Sequence, residues 1–202
     1  PEFSRRTDNV AYLYFNADTN EGNISIADSQ FTAFKNILKT RLNNWKIQWT
    51  DEHRLSLTAV SAATKLESLF IVDTGSGGLE ALVDAKRFLE TNWSPDGNQL
   101  LFSRQTRKGL ELFYLNLGDR RITALNLAGR ASKCAWSYDS AALYCAIPEK
   151  PLLNDGSAGS EDSFVKITVN NIAGTPEKLY TAADASFVDA RDLIYSRAQN
   201  AL

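Results

Sequence analysis

The sequence lacks most of the side chains from which metal sites and nucleophilic active sites are built. Its 202 residues include one histidine, two cysteines and no methionine. The single histidine, His53, lies in the polar stretch TDEHRL, where we expect a solvated turn residue and not a catalytic base. No serine occupies a Gly-x-Ser-x-Gly elbow of the kind that presents a hydrolase nucleophile. These absences predict a protein that is not an enzyme and that holds no cofactor or metal.

An excess of charge of one sign and a long apolar run are also missing. The 22 basic residues nearly balance the 24 acidic ones, which argues against a nucleic acid as the main partner, since proteins that bind nucleic acids usually present a basic face. No apolar run approaches the roughly 20 residues of a membrane span, so we expect no membrane insertion by these residues. These residues themselves include no stretch with the pattern of a signal peptide.

The absence of methionine also bears on the start of the chain. The opening letters PEF are typical of an expression vector, so we predict that residues 1–3 are a vector scar outside the fold. The alternative is that these letters are native sequence. In either case we expect an upstream segment, which is where an export signal or a membrane anchor would lie.

What the sequence does contain is a repeat of about 43 residues. Trp49, Trp93 and Trp136 follow one another at spacings of 44 and 43 residues. After each tryptophan come a short polar turn and an alternating apolar run, in QWTDEHRLSL, NWSPDGNQLLF and AWSYDSAALYC. The second half of the unit repeats too, because SLFIVDTGSGGLEAL aligns without gaps on ELFYLNLGDRRITAL. Four short strands in about 43 residues are typical of a propeller blade.

We therefore predict an all-β fold, a β-propeller made of four-stranded antiparallel blades, within residues 4–202. The repeat gives about four blades' worth of chain, namely a partial blade at 9–38, blades at 42–83, 87–126 and 130–180, and a partial unit at 186–202. Propellers close with four to eight blades, so we expect a piece of a larger propeller. The alternative is closure as four blades, with residues 186–202 completing the first blade.

One segment argues for a helix instead. In FTAFKNILKTRLNNW the apolar residues Phe31, Phe34, Leu38 and Trp45 recur near helical spacing. The repeat register assigns residues 34–38 to a strand, and we give the register precedence.

The tryptophans and two aspartates define the repeat, and we expect structural roles for them. Asp96 and Asp139 occupy the same place in successive units, in WSPDG and WSYDS. Aspartate in such a turn can accept hydrogen bonds from its own backbone, so we predict turn caps and not acid–base catalysts. The GSGG stretch at 75–78 joins two strands and lacks the Gly-Lys-Ser/Thr ending of a phosphate loop, which predicts a turn.

The two cysteines lie symmetrically about one predicted hairpin. Cys134 is two residues before Trp136, and Cys145 is two residues after Leu143. If Trp136 opposes Leu143, the cysteines oppose each other with Cβ atoms roughly 4.5–5.5 Å apart, which is close to what a disulfide requires. We predict a disulfide and hence an oxidising compartment. Two free buried cysteines are the alternative.

A polar insertion at 148–162 lengthens one unit. Its acidic residues Asp155, Glu161 and Asp162 match no calcium-binding loop. A solvated loop is the simplest interpretation, and a partner-binding loop is the alternative, because long loops on rigid scaffolds often carry recognition. The basic stretch RQTRKG at 104–109 is predicted to be a solvated hairpin tip.

The motif WSPDG…LLFS, followed by ELFYLNLGDRRITAL, resembles the TolB-like, WD40-like (PD40) propeller repeat. The match is good over 93–102 and weaker around the other two tryptophans. Within this group, KCAWSYDSAALYCAIPEK and WKIQWTDEHRLSLT are similar to uncharacterised propeller proteins of candidate-phylum (Patescibacteria-type) bacteria. That resemblance implies an exported protein, anchored in the membrane by an upstream helix, and it implies no reaction.

The function predicted from these features is a non-enzymatic, extracytoplasmic propeller, at the cell surface or in the periplasm, that acts as a binding scaffold. Its partner would be a protein, another ligand or a component of the cell envelope. The alternative is a propeller domain that gates or regulates a hydrolase of the prolyl-oligopeptidase type, whose catalytic domain would lie outside this chain.

Overall fold

The computed structural model describes residues 1–4, 7–150, 161–180, 189–190 and 193–196. Their regular structure consists of sixteen strands and two short 3-10 turns. The strands form four antiparallel sheets of four, and each sheet uses strands that are consecutive in the chain. This confirms the prediction of an all-β fold built from four-stranded antiparallel units.

The strands are numbered in chain order. Sheet 1 contains β1 (Glu2–Phe3), β2 (Asn9–Asn16), β3 (Glu21–Asp28) and β4 (Phe34–Thr40). Sheet 2 contains β5 (Trp45–Trp49), β6 (Arg54–Val60), β7 (Glu67–Asp73) and β8 (Leu79–Lys86). Sheet 3 contains β9 (Glu90–Trp93), β10 (Gln99–Thr106), β11 (Gly109–Asn116) and β12 (Ile122–Ala128). Sheet 4 contains β13 (Cys134–Trp136), β14 (Ala142–Pro148), β15 (Asp162–Thr168) and β16 (Glu177–Tyr180).

Sheet 1 differs from the partial blade predicted at 9–38, because residues 2–3 supply a first strand. Phe3 pairs with Val10, seven residues later, as Trp93 pairs with Leu100. The backbone N–H of Ser4 then donates to the carbonyl of Asn9, as the N–H of Ser94 donates to the carbonyl of Gln99 after Trp93. The prediction that residues 1–3 lie outside the fold rested on the vector-like letters PEF, whereas residues 2–3 pair with β2 within sheet 1.

The segment with near-helical spacing is a strand, β4, as the repeat register predicts. In every sheet the pairing between the third and fourth strands contains a register shift. Bulges of this kind increase the local twist of an outer strand, and a twisted edge is a poor template for pairing with another chain.

The chain divides into two compact units, Pro1–Arg87 and Phe88–Leu202. In the first unit, sheet 1 packs against sheet 2 through a core of buried aliphatic side chains. Sheet 1 contributes Ala11, Ile24 and Ile37, and sheet 2 contributes Leu55, Leu57 and Val72.

In the second unit, sheet 3 packs against sheet 4 in the same manner. The core contains Leu101, Leu112, Tyr114 and Leu125 from sheet 3, and Cys134, Trp136, Leu143, Cys145, Val165 and Ile167 from sheet 4. Alternation along each strand explains this arrangement, since residues two apart share a face of the sheet. Burial of such side chains contributes roughly 25 cal/mol per Å² of apolar surface.

Candidate functional site

The three repeat tryptophans lie at the end of the first strand of sheets 2, 3 and 4, in one register position. Trp49, Trp93 and Trp136 pair with leucines at the start of the following strand. The indole Nε1–H of Trp136 donates to the carbonyl oxygen of Asn92 at 3.1 Å. In the first unit, Trp49 Nε1 donates to the carbonyl oxygen of Glu2 at 3.1 Å. These two indoles therefore fasten the first strand of one sheet to the first strand of the sheet before it.

The repeat aspartates cap the turns that follow Trp93 and Trp136. Asp96 Oδ1 accepts from the Ser94 hydroxyl at 2.5 Å and from the Asn98 N–H at 3.1 Å. Asp139 Oδ1 accepts from Ser137 at 2.6 Å and from the Ala141 N–H at 3.1 Å. The two carboxylates thus make the same bonds to residues two before and two after them, and the geometry is that of a turn cap.

The capping bonds also set the charge state of these carboxyls. The hydroxyl of Ser137 is the main cause that holds the pKa of Asp139 below its usual value. At Asp96, partial burial acts to raise the pKa, but the hydrogen bonds from Ser94 and its neighbours outweigh it and leave the pKa below the usual value. Both carboxylates are therefore ionised at neutral pH, and neither is poised to donate a proton.

Ser140 joins the capped turns of sheets 3 and 4. It has a backbone φ of 59°, in the left-handed region where the preceding unit has Gly97 at 73°. The serine hydroxyl accepts from the Asp96 N–H at 3.2 Å, and the serine carbonyl accepts from Gln99 Nε2 at 3.2 Å. A left-handed conformation is costly for a residue with a Cβ, and here the hydroxyl gives an inter-sheet bond that glycine could not give.

The disulfide predicted between Cys134 and Cys145 is present. The two residues are direct partners in the β13–β14 register, and both are buried. Asn92 Nδ2 donates to the carbonyl of Cys134 at 2.6 Å and to that of Ala131 at 3.2 Å. The bridge therefore lies at the junction of sheets 3 and 4, and sequence comparison of the repeats identified the cysteines but not Asn92.

A buried ion cluster at Lys133 was not predicted. Lys133 Nζ lies 2.8 Å from Asp162 Oδ2 and 2.8 Å from Asp189 Oδ1. The Ala190 N–H also donates to Asp162 Oδ2, at 2.9 Å. Burial acts to lower the pKa of Lys133, but the bonds to the two aspartates outweigh it and raise the pKa above its usual value. Residues 189–190 are thereby fixed to sheet 4.

In sheet 3 the position equivalent to Lys133 carries an acidic residue, Glu90, and its ion-pair partner is basic. Glu90 is three residues before Trp93, as Lys133 is three residues before Trp136. Arg130 Nη1 lies 2.5 Å from Glu90 Oε1, and Ser132 Oγ donates to Glu90 Oε2 at 2.8 Å. The reversal of charge between positions 90 and 133 is visible in the aligned repeats, but the partners Arg130 and Asp189 are separated by the long insertion, so the repeat alone does not pair them.

Tyr195, within the partial unit predicted at 186–202, stacks on Tyr144 with ring centroids 5.5 Å apart. Tyr144 is the repeat equivalent of Leu101, which packs in the same core as Trp136. The described part of residues 189–196 therefore places an aromatic ring on sheet 4 at the position where Trp136 of sheet 4 packs near Leu101 of sheet 3.

The structure places the predicted loop residues in different settings. Asp155 lies outside the described residues. Glu161 is exposed, and its carbonyl accepts from the Glu149 N–H at 2.8 Å. Asp162 was predicted to lie in a loop that could bind a partner. It is instead the first residue of β15, and its carboxylate is buried against Lys133.

The remaining motifs are turns. GSGG joins β7 to β8, and Asp73 Oδ1 accepts from the N–H groups of Gly75 and Ser76, at 3.1 and 2.7 Å. His53 is exposed, and its N–H donates to Asp51 Oδ1 at 2.8 Å. At the basic tip, Arg107 and Lys108 are exposed.

The described residues contain neither a metal-binding cluster nor a membrane-spanning helix. No cluster of three or more His, Cys, Asp or Glu side chains suited to a metal ion occurs among them. Within the same residues, no helix has the length and hydropathy needed to cross a bilayer.

Comparison with known proteins gives matches in structure alone. No family model matches the sequence. No curated protein matches it either. Among solved structures, TolB from Acinetobacter baumannii matches with a TM-score of 0.58 and 15% identity, over 90% of this chain and 43% of TolB. The β-propeller domain of the Trilobed protease from Pyrococcus furiosus matches with a TM-score of 0.62 and 13% identity, over 89% of this chain and 55% of that domain.

A third match is the acylaminoacyl peptidase of Pyrococcus horikoshii, with a TM-score of 0.56 and 16% identity over 86% of this chain and 31% of the peptidase. The chain therefore spans about half or less of the structures it resembles. At these identities the similarity establishes the fold. The chain has a TolB-like β-propeller fold with about four four-stranded blades.

Proposed function

We propose that the chain is a non-enzymatic, extracytoplasmic propeller that binds a protein or another cell-envelope component through rigid surface turns. The observation that carries the proposal is the turn 137–141. Its Asp139 and Ser140 are fixed by the cap and by the bonds to sheet 3, while Tyr138 between Ser137 and Asp139 is 60% exposed. An exposed tyrosine on a rigid turn loses little conformational entropy on binding, and tyrosine is enriched at interfaces.

The polar groups at the sheet junctions support a binding role over a catalytic one. Asp96, Asp139 and Lys133 are each engaged in hydrogen bonds that hold turns or sheets together. Catalytic acids and bases instead need pKa values near the working pH. The directions of the pKa shifts at these three residues lead away from neutrality.

The disulfide supports an extracytoplasmic location. Disulfides persist in oxidising compartments and are rare where glutathione keeps thiols reduced. The structural similarity to TolB, together with the sequence resemblance to anchored bacterial propellers, supports an envelope protein held by an upstream anchor.

The second candidate is a propeller domain that gates a hydrolase. The observation that favours it is the similarity to the Trilobed protease propeller domain and to an acylaminoacyl peptidase. In this case the partner surface would face a catalytic domain with its own nucleophile.

Photo-crosslinking separates these candidates. Tyr138 is replaced by p-benzoylphenylalanine, and Ile122, which is 46% exposed on an outer strand, receives the same replacement as a control. With envelope extract of the source organism we expect one defined adduct from position 138 and none from position 122. An adduct that reacts with a fluorophosphonate probe would support the hydrolase candidate. Equal adducts from both positions, or none from position 138, would contradict the proposed surface.

A further inference from the structure

The hairpin that joins β10 to β11 ends in a stretch with charge of one sign, residues 104–109, which we call the basic tip. Its sequence RQTRKG contains three basic residues and no acidic one. Arg107 and Lys108 are exposed, and Arg104 is half-buried. The nearest acidic residue along the chain is Glu111, the register partner of Arg104, which leaves three basic residues against one acidic at this end of the hairpin. A local excess of positive charge attracts anions.

The backbone of the basic tip is fixed by its own hydrogen bonds. Thr106 and Gly109 pair across the hairpin and enclose the two-residue turn. Thr106 Oγ1 accepts from the Lys108 N–H at 3.0 Å and donates to the carbonyl of Gly109 at 3.1 Å. Gly109 has a φ of 114°, a conformation that glycine adopts without steric cost. Arg107 and Lys108 are therefore presented by an ordered turn, which lowers the entropy lost when a ligand binds.

Arg104 is oriented by an aromatic ring. Its guanidinium carbon lies 4.3 Å from the centroid of the Phe113 ring, and Phe113 in turn stacks on Phe102 with ring centroids 5.4 Å apart. The Nε of Arg104 is buried and has no hydrogen-bond partner among the described residues. A guanidinium stacked by its face keeps the N–H groups along its edge for a planar anion. Arg104 is therefore an oriented cation whose hydrogen-bonding capacity the described residues do not fill.

We propose that the basic tip binds a phosphate-bearing polymer of the cell envelope. Arginine can bind phosphate through two parallel N–H bonds, and lysine binds it as a point charge. Arg107 and Lys108 lie at the end of the hairpin, whereas Arg104 lies on its side, roughly 10 Å back along β10 at about 3.3 Å per residue. A flexible chain of phosphate groups can follow the hairpin and contact all three cations, while a flat surface meets only the end.

The neighbouring side chains favour such a polymer over a bilayer or a protein. Gln105 and Thr106 are polar, and Leu110 is buried. The basic tip thus lacks the exposed apolar side chains with which a peripheral protein enters the headgroup region of a bilayer. It also lacks a large aromatic anchor of the kind that dominates protein interfaces.

The basic tip is separate from the turn that carries Tyr138. Strand β10 runs from the turn 94–98, which Ser140 joins to the turn 137–141, to the basic tip. Eight residues of strand span roughly 25 Å, so the two surfaces lie at opposite ends of sheet 3. The envelope source of the polymer rests on the proposed function, but binding at the basic tip and crosslinking at position 138 succeed or fail independently.

Fluorescence anisotropy of end-labelled inorganic polyphosphate, titrated with the full chain, tests the proposal. We expect binding at about 25 mM salt that weakens at about 150 mM, where charges are screened beyond about 8 Å. A cation near an anionic surface contributes roughly fivefold to binding, so Arg107→Ser/Lys108→Ser should bind at least tenfold more weakly. The matched control is Arg120→Ser/Arg121→Ser, which removes two consecutive exposed arginines from the β11–β12 turn of the same sheet and should bind as the unsubstituted chain does.

Substitutions of Arg104 test its orientation on the ring. Arg104→Lys keeps the charge but loses the planar group and should bind several-fold more weakly, and Arg104→Gln more weakly still. Near-ultraviolet circular dichroism establishes that each variant is folded, and the substitutions in the turn test the proposal without touching the Phe113 contact.

Three results would overturn the proposal. One is the absence of polyphosphate binding at the lower salt concentration. Another is equal weakening in the two double variants, since binding would then follow net charge and not the basic tip. The third is tighter binding to phosphatidylglycerol-containing vesicles or to polyglutamate than to polyphosphate, which would assign the basic tip to a membrane surface or to an acidic protein.

Discussion

Replacing Lys133 by methionine should cost about 3 kcal/mol of local stability in the second unit. The side chain of Asp162 is fully buried and that of Lys133 is 11% exposed, with Nζ 2.8 Å from the Asp162 carboxylate. Removing one partner of a buried pair leaves an uncompensated charge, and losses of about 3–5 kcal/mol are typical. We take the lower end of this range because the Ala190 N–H still donates to Asp162.

Native-state hydrogen exchange of peptides from β13 and β14 measures this loss, because the amide opening free energies report the unit that contains them. The control is Lys166→Met in the same sheet. It removes the more exposed ion pair between Lys166 Nζ and Glu177 Oε2, which are 3.6 Å apart, and should cost less than about 1 kcal/mol. Adding Asp162→Asn to Lys133→Met should restore part of the loss. If Lys133→Met costs no more than Lys166→Met, the cluster does not stabilise sheet 4 in the way described.

The pH dependence of the same cluster has a definite sign. Since the folded state raises the pKa of Lys133 above its usual value of 10.5, its stabilisation is complete below that pH and declines as pH rises through the folded-state pKa. The alkaline decline in opening free energy should therefore be shallower in Lys133→Met. Identical alkaline profiles would refute the assignment.

Three further changes give equally direct readouts. Cys134→Ala/Cys145→Ala opens a bridge between residues 11 apart and should cost about 2–3 kcal/mol in urea denaturation; free thiol in the denatured, unreduced chain would contradict the bridge. Trp136→Phe loses the bond to Asn92 and should cost about 1 kcal/mol, whereas no change would show that the bond is dispensable. Asp139→Asn should flatten the loss of stability on acidification, because the pKa of Asp139 lies below its usual value and its stabilisation disappears as pH falls through the folded-state pKa; an unchanged acid profile would argue against the cap.

The sequence repeat was enough to predict the four-stranded sheets and the disulfide between Cys134 and Cys145. The tryptophan spacing predicted the sheets, since each Trp begins a hairpin whose apolar partner lies six or seven residues later. The same register placed Cys134 opposite Cys145. These features depend on residue type at a fixed place in the repeat, which is information that a single sequence contains.

Other features depend on substitution at equivalent places and were harder to predict. Phe3 takes the tryptophan position in sheet 1 without the surrounding motif. Ser140 adopts the left-handed conformation of Gly97 because its hydroxyl bonds the neighbouring turn. The Lys133 cluster joins residues 56 apart, and an ion pair across a long insertion leaves no periodic signal. Such contacts are set by the packing of whole sheets, which local patterns do not encode.

The reversed ion pairs suggest how a repeated chain keeps its sheets in order. Apolar faces built from one repeat are similar enough to pack on the wrong neighbour at little cost. Glu90 is matched by Arg130, whereas Lys133 at the equivalent position is matched by Asp189. If the segment that carries Asp189 packed on sheet 3 instead of sheet 4, the Asp189 carboxylate would meet the Glu90 carboxylate. In the observed packing it meets the Lys133 ammonium group. Specificity of this kind comes from penalising the wrong contact as much as from favouring the right one. In the second unit the charges at this position therefore differ between sheets 3 and 4, and they favour the observed contacts over the exchanged ones.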